Sequence, residues 1–195
     1  MKPLLPRCLI GHKFARIDEN KNYFLCCRIP PIGNFNEDGT YKEFWNSKKY
    51  NDLRKKLKYN LEKQSAEWDN LCYECPHYVE NKMLYESGEI VDDLPKTGPR
   101  TFDIEVGNSC NHRCNFCWFW SYDMLDNNAQ RKDFKGWAKK QLDLETYISI
   151  VDDLKELGGC EEISISGGGE PFIIKDIMKM LEHTKKLGFN LKIFT

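Results

Sequence analysis

Cys110-Asn-His-Arg-Cys114-Asn-Phe-Cys117 is the stretch that constrains this chain most, because it places three thiol groups within eight residues. Thiolates are ligands that zinc and iron–sulfur clusters prefer in proteins. A four-iron cluster is normally held by four cysteines, so three neighbouring ligands leave one iron able to bind another molecule. Catalytic metal sites have an open position of this kind. The spacing therefore predicts a metal site that binds something besides the protein.

Zinc is the alternative metal for this loop. Zinc sites use short cysteine spacings, and His112 or His77 could supply a fourth ligand. Zinc ligands usually come as repeated Cys-X2-Cys pairs, however, whereas this loop has the pattern Cys-X3-Cys-X2-Cys. The pattern favours an iron–sulfur cluster, and zinc stays open as the alternative.

Predicted strands and helices alternate around this loop from residue 100 onwards. Apolar and polar residues alternate over 101–106, directly before the cysteines, as they do in a half-buried strand. Further strands are predicted over 163–166 and 191–195. Strands alternating with helices imply a parallel sheet with right-handed crossovers. Three parallel strands cannot close a barrel and would leave an uncovered edge, so we expect the domain over 100–195 to be incomplete at its C-terminus.

Two amphipathic helices are predicted between these strands. The first is expected to start at Asp143 as N-cap and to stop at Gly158-Gly159, and the second to run from about Asp176 to Leu187, where Gly188 ends it. Steps of three and four residues assign one face of each helix to the core. The predicted core positions are Leu144, Tyr147, Ile148, Val151, Leu154, Leu157, Ile177, Met180, Leu181 and Leu187.

Gly167-Gly168-Gly169-Glu170-Pro171 follows the second predicted strand. Glycines without a Cβ let a ligand approach the backbone closely, and Glu170 offers a carboxylate suited to a positively charged amine. Taken alone, a glycine run is usually a turn. Active sites of parallel β/α folds gather at the carboxyl ends of the strands, where this run and the cysteine loop are both expected to lie.

Residues 1–85 follow a different pattern and are predicted to form a small α+β domain rich in cysteine. Two apolar runs over 14–17 and 23–26 flank a polar turn, which predicts a hairpin. A helix is predicted over 42–61. The segment 86–99 contains glycine and proline at several positions and is interpreted as a linker.

Composition excludes some classes of partner. The net charge of −1 gives no reason to expect nucleic acid or an anionic membrane. No run approaches the roughly 20 apolar residues of a membrane span, and none resembles a signal peptide. We therefore expect a cytoplasmic protein, in which nine cysteines favour metal ligation over disulfides. The basic run over 54–58 is interpreted as the solvent-exposed face of a helix, and Cys160 as a buried structural cysteine.

The segment 100–195 resembles the first half of a radical S-adenosylmethionine (SAM) core. Cys110, Cys114 and Cys117, with an aromatic residue before the last cysteine, match the motif that binds the family's iron–sulfur cluster. Gly168-Gly169-Glu170-Pro171 matches its GGEP motif after the second strand. The resemblance implies an α/β fold, namely a truncated partial β/α barrel that contains the first three strands and two helices.

The same resemblance implies a chemistry. A 4Fe-4S cluster on the three cysteines would bind the amino and carboxylate groups of SAM and pass it one electron. Cleavage would then give methionine and a 5′-deoxyadenosyl radical that abstracts hydrogen from a substrate. Phe116 would lie against the adenine, and the remaining SAM contacts would be Gly168, Gly169, Glu170 and Pro171. Trp118-Phe119-Trp120 is expected to pack in the core, or alternatively around the iron–sulfur cluster. No side chain is assigned a catalytic role.

Residues 1–85 resemble a SPASM or twitch domain, which carries an auxiliary iron–sulfur cluster. The resemblance implies a second 4Fe-4S cluster held by Cys8, Cys26, Cys72 and Cys75. Cys27 is the alternative to Cys26, because strand alternation cannot decide between them. Such domains usually follow the radical SAM core, whereas this one precedes it. The stretches that carry the resemblance are Cys8, Cys26-Cys27, Gly33-Asn34, Glu43-Phe44-Trp45-Asn46-Ser47, Leu53-Arg54 and Cys72-X2-Cys75-Pro76.

Together the two resemblances imply a radical SAM enzyme that acts on a peptide, protein or sugar-like substrate. A flavodoxin- or ferredoxin-like protein would supply its electrons. The alternative is a non-catalytic zinc-binding interaction module.

Overall fold

One sheet joins both halves of the chain. The computed structural model describes residues 8–59, 75, 78–88, 94–129 and 132–195. The strands of these residues are β1 (Phe14–Ile17), β2 (Asn22–Phe24), β3 (Gly33–Asn34), β4 (Thr101–Glu105), β5 (Glu162–Ser166) and β6 (Asn190–Ile193). In the described part of the chain they form a six-stranded sheet in the order β3-β2-β1-β4-β5-β6, most of whose pairings are parallel.

Helices connect and cover the strands. They are α1 (Phe35–Asp38), α2 (Tyr41–Asn46), α3 (Lys48–Tyr59), α4 (Tyr78–Glu86), α5 (Tyr122–Ala129), α6 (Phe134–Trp137), α7 (Leu144–Leu157) and α8 (Ile177–Lys186). Short 3-10 turns span Ile10–His12 and Pro171–Ile173. No helix of the described residues has the length and apolar character needed to cross a membrane.

The second half of the chain confirms the predicted alternation of strands and helices. β4 pairs in parallel with β5 and β5 with β6, and α7 and α8 form the crossovers. The Asp143 carboxylate accepts the N–H of Thr146 as N-cap of α7, and Gly158 ends that helix with φ of 67°. Of the predicted core positions, Leu144, Ile148, Leu157 and Leu187 are only partly buried, and the fully buried ones are Tyr147, Val151, Leu154, Ile177, Met180 and Leu181.

The predicted N-terminal hairpin also forms, but it extends the sheet of the second region. β1 pairs antiparallel with β2 and in parallel with β4, where Arg16 lies opposite Asp103. The Trp45 indole N–H donates to the Thr97 carbonyl at 3.1 Å, so α2 contacts the segment before β4 as well. The sequence predicts separate regions because a local pattern identifies a strand without identifying its partner. In the structure the two regions share one hydrophobic core.

The basic run over 54–58 does not form a solvent-exposed face throughout, and this interpretation is wrong for two of its cations. Arg54 and Lys58 are buried. The Arg54 guanidinium lies 3.9 Å from the Trp45 ring centroid and 3.7 Å from that of Tyr50. A planar guanidinium stacks on aromatic faces, and this packing places the residue in the interior.

The two faces of the sheet differ in chemistry, because successive strand residues point to opposite sides. On the open face, the register of the strands places polar residues side by side across β1, β4, β5 and β6. Arg16 lies opposite Asp103, Asp103 opposite Ser164, and Ser164 opposite Lys192. The side that α7 and α8 cover is apolar and buried, and its strand residues are Ile17, Phe102, Ile104, Ile163 and Ile165.

Candidate functional site

The cysteine loop follows β4, and backbone N–H groups point at two of its sulfurs. The N–H of His112 donates to Cys110 Sγ at 3.4 Å. Those of Phe119 and Trp120 donate to Cys117 Sγ at 3.4 and 3.2 Å. Hydrogen bonds to sulfur stabilise thiolates, which are the form that binds metals and iron–sulfur clusters. The three thiols of the loop, two of which accept backbone hydrogen bonds, therefore fit the iron–sulfur cluster that the sequence predicts for it.

The three thiols of the loop share one electrostatic environment with Glu170. Burial is the largest cause of the raised pKa of Cys110, and the backbone N–H of His112 opposes it. The negative charges of Cys117, Glu170 and Cys114 add to the rise. A bound cation or cationic iron–sulfur core would neutralise this concentration of charge. Within the described residues, no group of three His, Cys, Asp or Glu side chains is arranged to hold a single metal ion.

The glycine run after β5 lies directly against the cysteine loop. Gly168 N–H donates to Asn108 Oδ1 at 3.2 Å, and the N–H of Glu170 donates to the Ser109 carbonyl at 2.8 Å. A Cβ on Gly169 would lie 2.0 Å from that carbonyl oxygen. The glycines are therefore required for contact between the two loops, a reason that sequence analysis did not identify. Whether they also contact SAM stays a prediction.

Glu170 is buried, and its carboxylate already has partners within the protein. Oε1 accepts the N–H of Phe172 at 2.9 Å and so caps the 3-10 turn Pro171–Ile173. Oε2 accepts the Thr195 hydroxyl at 2.7 Å and lies 3.7 Å from His112 Nε2. These contacts hold the carboxylate at the edge of the sheet, beside the cysteines. A carboxylate has about four acceptor positions, so an amine could still bind it.

Asn108 and Trp120 hold the two loops together, and the sequence analysis did not identify Asn108 or this role of Trp120. Asn108 is 1% exposed, and its Nδ2 donates to the Trp137 carbonyl at 3.2 Å. The indole N–H of Trp120 is shared between the carbonyls of Asn108 and Gly168 at 3.1 and 2.8 Å. The position of Asn108 just after a predicted strand is the only sequence signal that could have marked it.

The aromatic residues of the loop divide into packed and exposed rings. Trp120 packs on Trp137 of α6 with ring centroids 6.3 Å apart. Trp118, predicted to pack in the core or alternatively around the iron–sulfur cluster, is 77% exposed, so core packing is wrong for this residue. Phe116, the predicted adenine contact, is 88% exposed. The loop therefore presents two large apolar rings on its outer side.

Three of the predicted N-terminal ligands, Cys8, Cys26 and Cys75, lie among the described residues. Burial raises the pKa of Cys26, and the charges of Cys27 and Cys75 add to the rise. Burial likewise raises the pKa of Tyr50, with contributions from the charges of Cys26 and Cys8. Cys26 is thus within electrostatic range of Cys27 and Cys75, and Cys8 and Cys26 are both within that range of Tyr50, while Cys27 is exposed. Cys72 lies outside the described residues.

A further group of charged residues lies on the open face, at the carboxyl ends of β1 and β4. Arg16 Nη1 donates to Glu105 Oε1 at 2.9 Å, which links the two halves of the chain. Ser166 Oγ donates to Asp103 Oδ1 at 2.9 Å on the neighbouring strand. Burial raises the pKa of Glu105 to about 7, opposed by Arg16 and supported by the carboxylates Asp103, Glu19 and Asp18. Sequence analysis missed this group, because it depends on the pairing of β1 with β4.

Glu105 should make stability depend on pH. Its pKa of about 7 in the folded chain exceeds the ordinary value of 4.5, so the folded state binds this proton more tightly. The contribution to stability is then complete below pH 4.5 and is lost as the pH rises through 7. Glu105→Gln should unfold like wild type at pH 4 but be more stable at pH 8, by at most about 3 kcal/mol. Urea unfolding at both values measures this.

The exposed Glu182 of α8 provides the matched control. Glu182→Gln should shift stability equally at both pH values, because its side chain is solvated in either state. A Glu105→Gln variant with the same pH dependence as wild type would contradict the assignment.

A separate cleft of about 650 Å³ opens in the N-terminal half. Its lining includes Asn34, Asp38, Lys49, Tyr50 and Lys56, and it contains none of the cysteines. The cleft is therefore distinct from the contact between the cysteine loop and the glycine run.

Comparisons with known proteins follow the same division of the chain. Residues 104–195 match the family model of the radical SAM superfamily. Residues 8–76 match the model of an iron–sulfur cluster-binding domain, SPASM. Both resemblances seen in the sequence, and their order, are thereby confirmed.

One curated relative is similar over part of the chain. It is the tungsten-containing aldehyde ferredoxin oxidoreductase cofactor-modifying protein of Pyrococcus furiosus, 28% identical over 92 residues. The match covers 47% of this chain and 22% of that protein. No solved structure gives a significant match.

Proposed function

Since this chain carries a radical SAM region preceded by an iron–sulfur cluster-binding domain, we propose that it cleaves SAM reductively to start a radical reaction. One observation carries the proposal. The cysteine loop after β4 lies against the glycine run after β5, with backbone N–H groups directed at the sulfurs of Cys110 and Cys117. Metal ligands and a ligand-binding backbone thus meet at one edge of a parallel sheet.

Cys110, Cys114 and Cys117 would hold a 4Fe-4S cluster in this function. When bound, the cluster supplies the electron that cleaves SAM into methionine and a 5′-deoxyadenosyl radical. The exposed ring of Phe116 offers a flat apolar surface to the adenine. The Glu170 carboxylate, held by Phe172 N–H, offers an acceptor to the SAM amine. The assignment of these contacts, with Gly168, Gly169 and Pro171 beside them, rests on motif position and on this geometry.

A second 4Fe-4S cluster is proposed for the N-terminal region, held by Cys8, Cys26, Cys72 and Cys75. Cys26 is favoured over Cys27 because Cys26 is half-buried beside Cys75, whereas Cys27 is exposed. The proposed domains are residues 1–85 and 100–195, joined by 86–99. The shared sheet implies that the two sites have a fixed relative position.

The proposed partners follow from the chemistry. A flavodoxin- or ferredoxin-like protein would supply electrons, and the substrate would be a peptide, a protein or a sugar-like molecule. The Pyrococcus furiosus relative is described as modifying the cofactor of an oxidoreductase, which adds cofactor precursors to the classes worth testing. The thiol-rich composition suits a reducing cytoplasm.

Anaerobic reconstitution with iron and sulfide tests the proposed function. The protein should become brown, and the EPR signal of the reduced sample should change when SAM is added. A variant with Cys110, Cys114 and Cys117 all replaced by alanine is the matched control and should show no SAM response. A colourless wild-type protein that binds zinc would instead support the interaction module.

A further inference from the structure

The segment 132–140, which contains α6, concentrates positive charge next to the cysteine loop. It carries four lysines and one acidic residue, Asp133, in a chain whose net charge is −1. Three of the lysines are exposed and form no ion pair with any residue that the structure describes. We call these three, Lys132, Lys135 and Lys139, the lysine patch. A cluster of like charges that the protein itself leaves unneutralised attracts partners of opposite charge.

α6 directs the lysine patch outwards, because its apolar side packs on the cysteine loop. Phe134 and Trp137 are half-buried, with ring centroids 5.3 and 6.3 Å from that of Trp120. The N–H of Lys139 donates to a carbonyl of α6 at 3.2 Å, which continues the helical turn past the end of α6. Lys135 and Lys139 are four positions apart and therefore share one side of that turn. Both are exposed, so that side faces solvent.

The segment that carries the lysine patch contacts the cysteine loop both before and after its three thiols. Ser109, the residue before Cys110, donates from Oγ to the Ala138 carbonyl at 2.8 Å. Trp120, whose N–H donates to Cys117 Sγ at 3.2 Å, packs on α6 from the other end of the loop. A protein bound to the lysine patch would therefore lie close to the thiols.

Exposed aromatic side chains of the cysteine loop adjoin α6. Phe119 is 38% exposed, and its ring centroid lies 4.7 Å from that of Trp137. The neighbouring Trp118 is 77% exposed. Aromatic residues are enriched at protein interfaces, where surrounding charges set orientation and association rate. The lysine patch and these two rings therefore have the composition of a docking surface for a protein of negative charge.

We propose that the lysine patch, with Trp118 and Phe119, is the docking surface for the acidic electron-carrier protein that reduces this chain. The inference rests on the proposed function, in which one electron must reach the cysteine loop for each SAM that is cleaved. The reduced flavin or iron–sulfur group of the carrier loses that electron, the iron–sulfur cluster proposed for the loop gains it, and no proton or other group is transferred. Complexes of electron carriers have small interfaces, and attraction between opposite charges raises their association rate.

The position of the lysine patch separates the carrier from the substrate. Directly after Lys140, the chain enters α7 through its N-cap Asp143, and α7 covers the apolar side of the sheet. Arg16 and Glu105 lie on the open face, on the opposite side of the sheet. A carrier on the lysine patch and a substrate at the open face could therefore be bound together.

Binding of an oxidised, negatively charged flavodoxin to the full chain tests the surface without SAM or cleavage. The double variant Lys135→Glu, Lys139→Glu should raise the dissociation constant about tenfold at low ionic strength, because it reverses two charges of the patch. At about 1 M salt the difference from wild type should largely disappear, because exposed charges are then screened. Isothermal titration calorimetry measures both values. Lys135→Gln, Lys139→Gln should show a smaller loss and replaces the first variant if the glutamates disturb α6.

Lys48→Glu, Lys186→Glu is the matched control, because it changes the net charge by the same amount at two exposed positions in α3 and α8. It should bind flavodoxin as tightly as wild type does. Equal dissociation constants for the two glutamate double variants would overturn the inference. Tighter binding of a single-stranded oligonucleotide than of flavodoxin to wild type would also overturn it, since the patch would then fit a nucleic acid.

SAM cleavage with two reductants separates this inference from the proposed function. With dithionite, which needs no docking surface, Lys135→Glu, Lys139→Glu should cleave SAM as fast as wild type. With reduced flavodoxin below saturation it should be about tenfold slower, as expected from the weaker binding. Equal rates with reduced flavodoxin would overturn the inference and leave the proposed function intact. A wild-type protein that binds flavodoxin but cleaves SAM with neither reductant would contradict the proposed function, and with it the role of the surface in electron transfer.

Discussion

Replacement of Cys114 by alanine is expected to reduce SAM cleavage to the level of a reaction without protein. Cys114 is the middle ligand proposed for the first iron–sulfur cluster, and its side chain is exposed. The hydrogen bond from Cys117 N–H to its carbonyl at 2.9 Å involves only backbone atoms and is kept in the variant. The fold should therefore persist while the ligand is lost. Methionine and 5′-deoxyadenosine, measured after anaerobic reduction in the presence of SAM, provide the readout.

Cys160→Ala is the control for this experiment. Cys160 Sγ contacts the Glu162 carbonyl at 3.6 Å, and burial raises the pKa of the thiol to about 12, so it is a poor metal ligand. This variant should bind as much iron as wild type and cleave SAM at the same rate. Cleavage that survives in Cys114→Ala, with iron content unchanged, would show that the cysteine loop is not the SAM site.

Gly169→Ala is expected to separate the glycine run from the cysteine loop. The added Cβ would lie 2.0 Å from the Ser109 carbonyl oxygen and 2.6 Å from the Asn108 carbonyl carbon. Both are backbone atoms of the loop before Cys110, so no side-chain rotation relieves the clash. The hydrogen bond from Glu170 N–H to Ser109, 2.8 Å long, should break as the chains move apart. We expect a loss of about 3 kcal/mol in the free energy of unfolding, measured in urea.

Gly169→Ala should also lose iron from the proposed cluster of Cys110, Cys114 and Cys117, because the glycine run with Glu170 would move away from the cysteine loop. Gly136→Ala is the matched control, since a Cβ at this helical position of α6 meets nothing within 4 Å. It should retain iron and be as stable as wild type or more so, because alanine is favoured over glycine in helices. Equal stability of Gly169→Ala and Gly136→Ala would contradict the close contact between Gly169 and the Ser109 carbonyl.

The elements of the second half of the chain were predictable because their signals are local. Helical periodicity, the Asp143 cap and the stop at Gly158 all lie within one helix, α7. The two loops that meet at the sheet edge were predictable for a related reason. Parallel strands connected by right-handed crossovers bring their carboxyl ends to one edge, so the loops after β4 and β5 must be neighbours.

Other features depend on contacts between residues far apart in the chain. Arg54 belongs to a basic run that is typical of the solvent-exposed face of a helix, but packing on Trp45 and Tyr50 buries it. Gly169 suggests room for a ligand, but Ser109 from the neighbouring loop occupies that space. Nothing in the local composition distinguishes these cases, because each is decided by a residue from another element.

Thiol spacing and strand periodicity are local properties, so the residues that could bind metal and the strand ends on which they lie were predictable from the amino-acid sequence. The folded structure was needed to show that the two cysteine regions share one sheet. The pairing of β1 with β4 places Arg16 beside Glu105 and fixes the first half of the chain on the second. Strand partners are chosen by the packing of whole faces, and that choice becomes visible only when the chain has folded.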